Sequence, residues 1–283
     1  MLSKHKGHVL LITVLCMVSL AAVGASSAMA TPKGEYAVFS KCPIGTPELN
    51  GCLVARTESG EVKLGNTTVP IEKTMTLQAG LINHGEYEKE VVGATLTKTP
   101  QKVPGGLLGF VKCNEITGSG PIEKGLRQLC EGIFENKTTG VNATTELAGK
   151  VALNEIALDL EEGVALDLPV KVKLENSLLG SSCYIGSNTE PVNLELTTGT
   201  SGTLKGKKGK VSSRAEGGIL VISNTSLVDS MFTAPKATGC GPFGLLDGLI
   251  NKKLGLPATT GNVAVLNGTE EQANAALVEE SEG

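Results

Sequence analysis

Over long stretches of this chain apolar and polar residues alternate with a period of two. Leu168, Val170, Val172 and Leu174 alternate with Pro169, Lys171, Lys173 and Glu175, which predicts a half-buried strand. Val192, Leu194 and Leu196 alternate in the same way with Asn193, Glu195 and Thr197. Just before the first run, Ile156, Leu158 and Leu160 alternate, and Glu161-Glu162-Gly163 reads as the hairpin turn between the two. Val54 to Leu64 reads as another hairpin, turning at Ser59-Gly60, and Ile219 to Ile222 as a short buried strand. Helical spacing is scarce. Pro121 to Phe134 predicts a helix with Pro121 in its first turn, and Phe243 to Leu254 a second, closed by Gly255 and Pro257.

These elements predict an all-β protein: an antiparallel β-sandwich with two short helical excursions, stapled by disulfides. No long linker interrupts it, so a single domain over 31–269 is expected, with a division into two sub-domains near 140–150 as the alternative. An echo accompanies three cysteines. Gly106-Leu107-Leu108-Gly109 precedes Cys113, Leu178-Leu179-Gly180 precedes Cys183, and Gly244-Leu245-Leu246 follows Cys240. These segments are expected to fold over one end of the sandwich; the competing reading is greasy tips that touch a lipid or a partner.

The first 30 residues change the picture. Lys4, His5, Lys6 and His8 precede an apolar run from Val9 to about Val23, and Ala28-Met29-Ala30 ends the segment. That is the layout of a secretory signal peptide, with Ala28 and Ala30 marking cleavage after Ala30. Cys16 lies inside the apolar run behind Leu15, the wrong setting for lipidation. Without Lys4 and Lys6, 23 of the 25 basic side chains remain against 29 acidic ones, a net charge of about −6. No second stretch is apolar enough to span a membrane, so the product is expected to lack a transmembrane segment.

In an oxidising compartment the remaining cysteines, Cys42, Cys52, Cys113, Cys130, Cys183 and Cys240, are expected to form three disulfides. Local pairing favours Cys42–Cys52, Cys113–Cys130 and Cys183–Cys240, although six cysteines allow 15 pairings and sequence does not choose among them. A metal site is the rival, but C-x-x-C is absent and His84 is the one histidine past the leader.

Catalytic signatures are missing. Gly239-Cys240-Gly241-Pro242-Phe243-Gly244 matches G-x-G-x-x-G, yet no acidic residue follows at about 20 positions and one member is a cysteine expected in a disulfide. G-x-S-x-G is absent, and any Ser-His-Asp triad would need His84, which sits in a turn-like Asn83-His84-Gly85. A glutamate pair could hydrolyse glycosides, but three Tyr, five Phe and no Trp are poor material for sugar platforms. Calcium wants clustered carboxylates, and Asp159, Asp167, Asp229 and Asp247 are scattered. No cofactor is called for, and the expectation is a non-enzyme.

Charge gathers in two places. Lys205, Lys207, Lys208 and Lys210 form a lysine cluster read as a hairpin tip, a candidate contact for an anionic surface. Without interleaved aromatics it does not suggest nucleic acid. Glu270, Glu271, Glu279, Glu280 and Glu282 suggest an acidic disordered tail over 270–283. The sequons at Asn66, Asn136, Asn142, Asn224 and Asn267 arise readily in a Thr- and Gly-rich chain and carry little weight.

Three segments carry a resemblance: Tyr36-Ala37-Val38-Phe39-Ser40-Lys41-Cys42-Pro43, Phe134-Glu135-Asn136-Lys137-Thr138-Thr139-Gly140 and Leu178-Leu179-Gly180-Ser181-Ser182-Cys183-Tyr184-Ile185-Gly186. They resemble uncharacterised secreted β-rich proteins of soil actinobacteria, a group that implies export and no activity. The functional expectation is a secreted, disulfide-stabilised β-protein that binds or serves structurally in the extracellular space or cell envelope, with an extracellular or envelope partner of unknown nature. The alternatives are a polymer hydrolase using a glutamate pair and a peripheral membrane or wall binder using the lysines and the leucine-glycine loops.

Overall fold

The structure is a computed structural model that describes residues 31–84, 88–136 and 139–282. The leader, with Ala28, Ala30 and Cys16, lies outside the described residues. Thr31 to Gly283 form one compact unit.

The antiparallel all-β architecture is present, and all its described strands but the small Thr200–Ser201/Leu204–Lys205 pair belong to one large sheet. Eight segments make up the wall: β1 (Gly51–Leu64), β2 (Met75–His84), β3 (Glu88–Leu96), β4 (Asn142–Leu147, continued by Ala152–Asn154), β5 (Leu166–Glu175), β6 (Val192–Leu196), β7 (Ile219–Asp229) and β8 (Val263–Asn274). The order runs β7-β8-β1-β2-β3-β4-β5-β6. It then returns to β7: Thr197, just beyond β6, exchanges two backbone hydrogen bonds with Val228, at 3.0 and 2.9 Å. The sheet closes on itself. The two faces expected of a sandwich are thus opposite walls of a closed, eight-stranded barrel, which removes the exposed edges an open sheet would leave.

The period-two patterns explain the wall. In β5, Leu166, Leu168, Val170, Val172 and Leu174 are buried toward the interior, while Lys171, Lys173 and Glu175 are only half-buried on the outer face. β6 alternates just as regularly, with Val192, Leu194 and Leu196 buried. Both readings from sequence hold.

Two hairpin readings do not. Ser59-Gly60 is no turn: β1 runs through it, with a bulge between Thr57 and Ser59 against β8. Gly60 has φ +127°, and a Cβ there would overlap the Val265 carbonyl. The glycine marks a bulge and a close strand approach, which local composition does not distinguish from a turn. Ile156, Leu158 and Leu160 belong to a helix, α3 (Glu155–Leu160), inserted in the connection between β4 and β5. Asn154 caps it, its Oδ1 accepting from Ala157 N at 3.0 Å. Ala157 and Leu158 pack on Ile222 and Ala165, and Leu160 is exposed.

The expected helices are present. Pro121–Glu135 forms α2, following the short α1 (Gly106–Phe110), and Asp247–Leu254 forms α4, which ends at Gly255 with φ +67°. Phe243 lies before α4 in a 3-10 turn and is 90% exposed. α4 closes the Leu64 end of the barrel, its Leu254 carbonyl accepting from Asn66 N at 2.7 Å. α3 sits toward the other end.

The expected disordered tail is likewise replaced by structure. Glu270 and Glu271 lie within β8, paired with β1 on one edge and β7 on the other, and α5 (Ala275–Glu280) follows. A strand bonded along both edges is central to its sheet, whatever its charge. Outside the barrel Val278 of α5 packs with Phe39, Val54 and Ile219 in a second apolar cluster.

All three local pairings exist: Cys42–Cys52, Cys113–Cys130 and Cys183–Cys240. The first fastens the N-terminal segment to β1, the second a loop to α2, the third two loops beside α4. No helix among the described residues is long and apolar enough to cross a membrane.

Candidate ligand-binding lumen

The barrel is not filled. A cavity of about 90 Å³ lies inside it, lined from every wall strand except β4's second segment: Ala55, Val62 and Leu64 of β1, Met75 and Leu77 of β2, Leu96 of β3, Thr145 of β4, Leu168 and Val170 of β5, Leu194 of β6, Thr225 and Leu227 of β7, Leu266, Gly268 and Glu270 of β8. A second cavity of about 50 Å³ shares Val62, Leu64, Met75, Thr145 and Val172 with it and extends toward Leu254 of α4. The reason lies in side-chain size. Ala55, Gly268 and three threonines (Thr57, Thr145 and Thr225) occupy wall positions where larger residues would meet across the axis, and among the described residues no aromatic side chain lines either cavity.

An apolar void of this size has a cost. At roughly 24 cal/mol per Å³ the larger cavity costs about 2 kcal/mol, which an occupant recovers. Apolar cavities of comparable size stay dry and take small apolar guests.

Among the described residues one buried ionisable group lines this interior. Glu270 is 8% exposed and stands opposite Ala55 and Ile222. Gln272 Nε2 donates to its Oε1 at 2.6 Å. Burial pushes the Glu270 carboxyl up, the Gln272 hydrogen bond opposes this, and the negative charge of Glu155 at the start of α3 adds to it. Glu155 is itself paired with Lys89 at 3.3 Å. Among the described residues Glu270 accepts only the Gln272 bond, so Oε2 has no protein partner. The polar residue Gln101, on the second cavity, is by contrast fully engaged: it accepts from Glu72 N and Lys73 N and donates to the Lys73 carbonyl.

The residues singled out from sequence fall elsewhere. Lys205, Lys207, Lys208 and Lys210 are exposed but form no hairpin tip. They join two small hairpins, with Lys207 bridged to Ser226 beside β7 and Lys208 Nζ 3.2 Å from Asp159. In the leucine-glycine segments Leu107, Leu178, Leu179 and Leu246 are buried, whereas Leu245 is exposed beside the exposed Phe243. In the G-x-G-x-x-G segment the amides of Gly239 and Cys240 donate to Asp247, at 3.2 and 2.7 Å, leaving them no role for a phosphate. Among the described residues no three His, Cys, Asp or Glu side chains gather as metal ligands.

Glu270 was the residue that sequence reading missed. The signal was present: Leu266, Gly268 and Glu270 share one face at period two. Comparison with protein-family models, with curated proteins and with solved structures finds no match.

Proposed function

We propose that this protein is an extracellular binding protein whose barrel encloses one small, mainly apolar molecule. The observation that carries the reading is the unfilled, mainly apolar lumen with a single buried ionisable group among the described residues, Glu270. Ligand sites in small barrels have this composition: apolar walls for affinity and few polar groups for orientation. The leader and three disulfides support an extracellular setting. Binding is favoured over hydrolysis because Glu155 is held by Lys89 and the walls around Glu270 carry no sugar platform among the described residues.

The test is an amide NMR titration of the oxidised protein with 1-pentanol, a probe of about benzene's size. Saturable shifts centred on Ala55, Thr225 and Gly268 are expected. Absent or scattered surface shifts would overturn the reading.

A further inference from the structure

Resting on that reading, we infer that the lumen selects a ligand carrying a basic nitrogen on an apolar body, the nitrogen meeting Glu270 Oε2 while Gln272 holds Oε1. A carboxylate and an alcohol are the rejected alternatives.

The argument is one of charge. Gln272 Nε2 fixes one oxygen of Glu270 at 2.6 Å, the other accepts no protein hydrogen bond among the described residues, and Glu270 lines the cavity. Every cation near this stretch is already engaged or turned away. Arg56, itself among the residues that line the cavity, and Arg214 are both engaged, holding Glu271 at 3.2 and 2.7 Å. Lys89 is held by Glu155, and Lys208 by Asp159 further along α3. From β7 the group opposite is Ile222, which is uncharged. The groups that reach Glu270 electrostatically are therefore its own carboxyl, the neutral Gln272 and the anionic Glu155. An anionic headgroup would be desolvated near Glu155 and, once Glu270 ionises, against its charge as well, whereas a cation would pair with the Glu270 carboxylate. A charge-assisted N–H to carboxylate bond is also about twice as strong as a neutral one.

The proton balance gives the test its sign. Burial favours the protonated acid in the empty protein. An alkylammonium ion entering the lumen displaces that proton to solvent, leaving a carboxylate and an ammonium side by side. One proton is released, so amine affinity rises about tenfold per pH unit until the free protein's Glu270 itself ionises. An alcohol releases no proton. A carboxylate ligand needs Glu270 protonated, so its affinity is flat where the free protein keeps that proton and falls with pH once Glu270 ionises, because binding must then take a proton up.

The experiment titrates the oxidised protein with n-pentylamine, 1-pentanol and pentanoate between pH 5 and 8, followed by lumen amide shifts. Expected are amine affinity rising with pH, alcohol affinity flat over the acid part of the range and pentanoate weakest at pH 8. Glu270→Gln should remove at least about tenfold of the amine preference while 1-pentanol still binds, which shows that the variant is folded. Equal binding of amine and alcohol with no pH slope, or a preference for pentanoate, overturns the amine assignment and leaves the lumen reading standing. If none of the three moves the lumen amides, the lumen reading falls and this inference with it.

Discussion

Glu270 and Glu271 are neighbours in sequence and point to opposite sides of the same strand. Glu271 reaches the outer face and holds Arg56 and Arg214 at 3.2 and 2.7 Å, while Glu270 turns into an apolar lumen with one hydrogen bond. The pleat of β8 thus converts two identical carboxyls into a structural anion and a buried acid. Each has its own measurable consequence.

Replacing Glu271 by Ala removes both ion pairs and leaves two guanidinium groups, each about a quarter exposed, without that partner. The expected loss is about 1–3 kcal/mol in urea unfolding. A loss within 0.3 kcal/mol, roughly the error of such a measurement, would show that the outer network contributes nothing.

Glu270 should oppose folding at neutral pH. Its folded-state carboxyl is held above its ordinary range by burial, so the folded protein keeps a proton that the unfolded chain releases. The cost is absent below the ordinary carboxylate range and grows as pH rises through the window between the unfolded and the raised folded value. Glu270→Gln should therefore gain stability at pH 7 and little or none at pH 3. Unfolding curves at both pH values decide it; an equal change at the two would sink the assignment.

Filling the lumen should separate stability from binding. Ala55→Val adds two methyl groups at the cavity wall, and the expected effect is a gain of about 0.5–1 kcal/mol with apolar-probe binding weakened several-fold. Unchanged probe binding would place the probe elsewhere.

Closure of the barrel depends on Asp229, which is 2% exposed and accepts from Glu195 N at 2.9 Å, Met231 N at 2.8 Å and Ser201 Oγ at 3.4 Å. Asp229→Ala leaves these donors unpaired at the seam and should cost about 3 kcal/mol. Hydrogen exchange should accelerate first at Glu195, Thr197 and Val228. Uniform acceleration over the whole barrel would argue against a local seam.

Reduction should raise the mass of the oxidised protein by about 6 Da, two hydrogens for each of three disulfides. Removing Cys183–Cys240, which spans 57 residues, should cost about 4 kcal/mol, against about 3 for the 10-residue Cys42–Cys52 loop. The reverse order of costs would mean native packing, and not loop closure, dominates.

Much of this was legible in the chain because it is local. The alternation in β5 and β6, the Pro121 start of α2 and the Cys42–Cys52 and Cys113–Cys130 pairings each depend on residues near one another, whereas Cys183–Cys240 spans 57 residues. Ile156 to Leu160 misled because three alternating positions fit a strand and a single helical turn equally, and only the Asn154 cap separates them. Ser59-Gly60 misled because a glycine serves a turn and a bulge alike. Glu270 was hidden by composition: acidic residues near a terminus look solvated until a strand on each side fixes which way they point.

The sequence by itself determined a β-rich, antiparallel, aromatic-poor chain with six cysteines suited to disulfides, since period, turn residues and composition are properties of the chain before it folds. The pairing of those cysteines was settled by the fold. The tertiary structure alone decided that the sheet closes, through Thr197 and Val228, residues 31 positions apart. Closure turned small wall residues into a cavity and a tail glutamate into its one buried acid, because what lies inside a barrel depends on which strands meet across it.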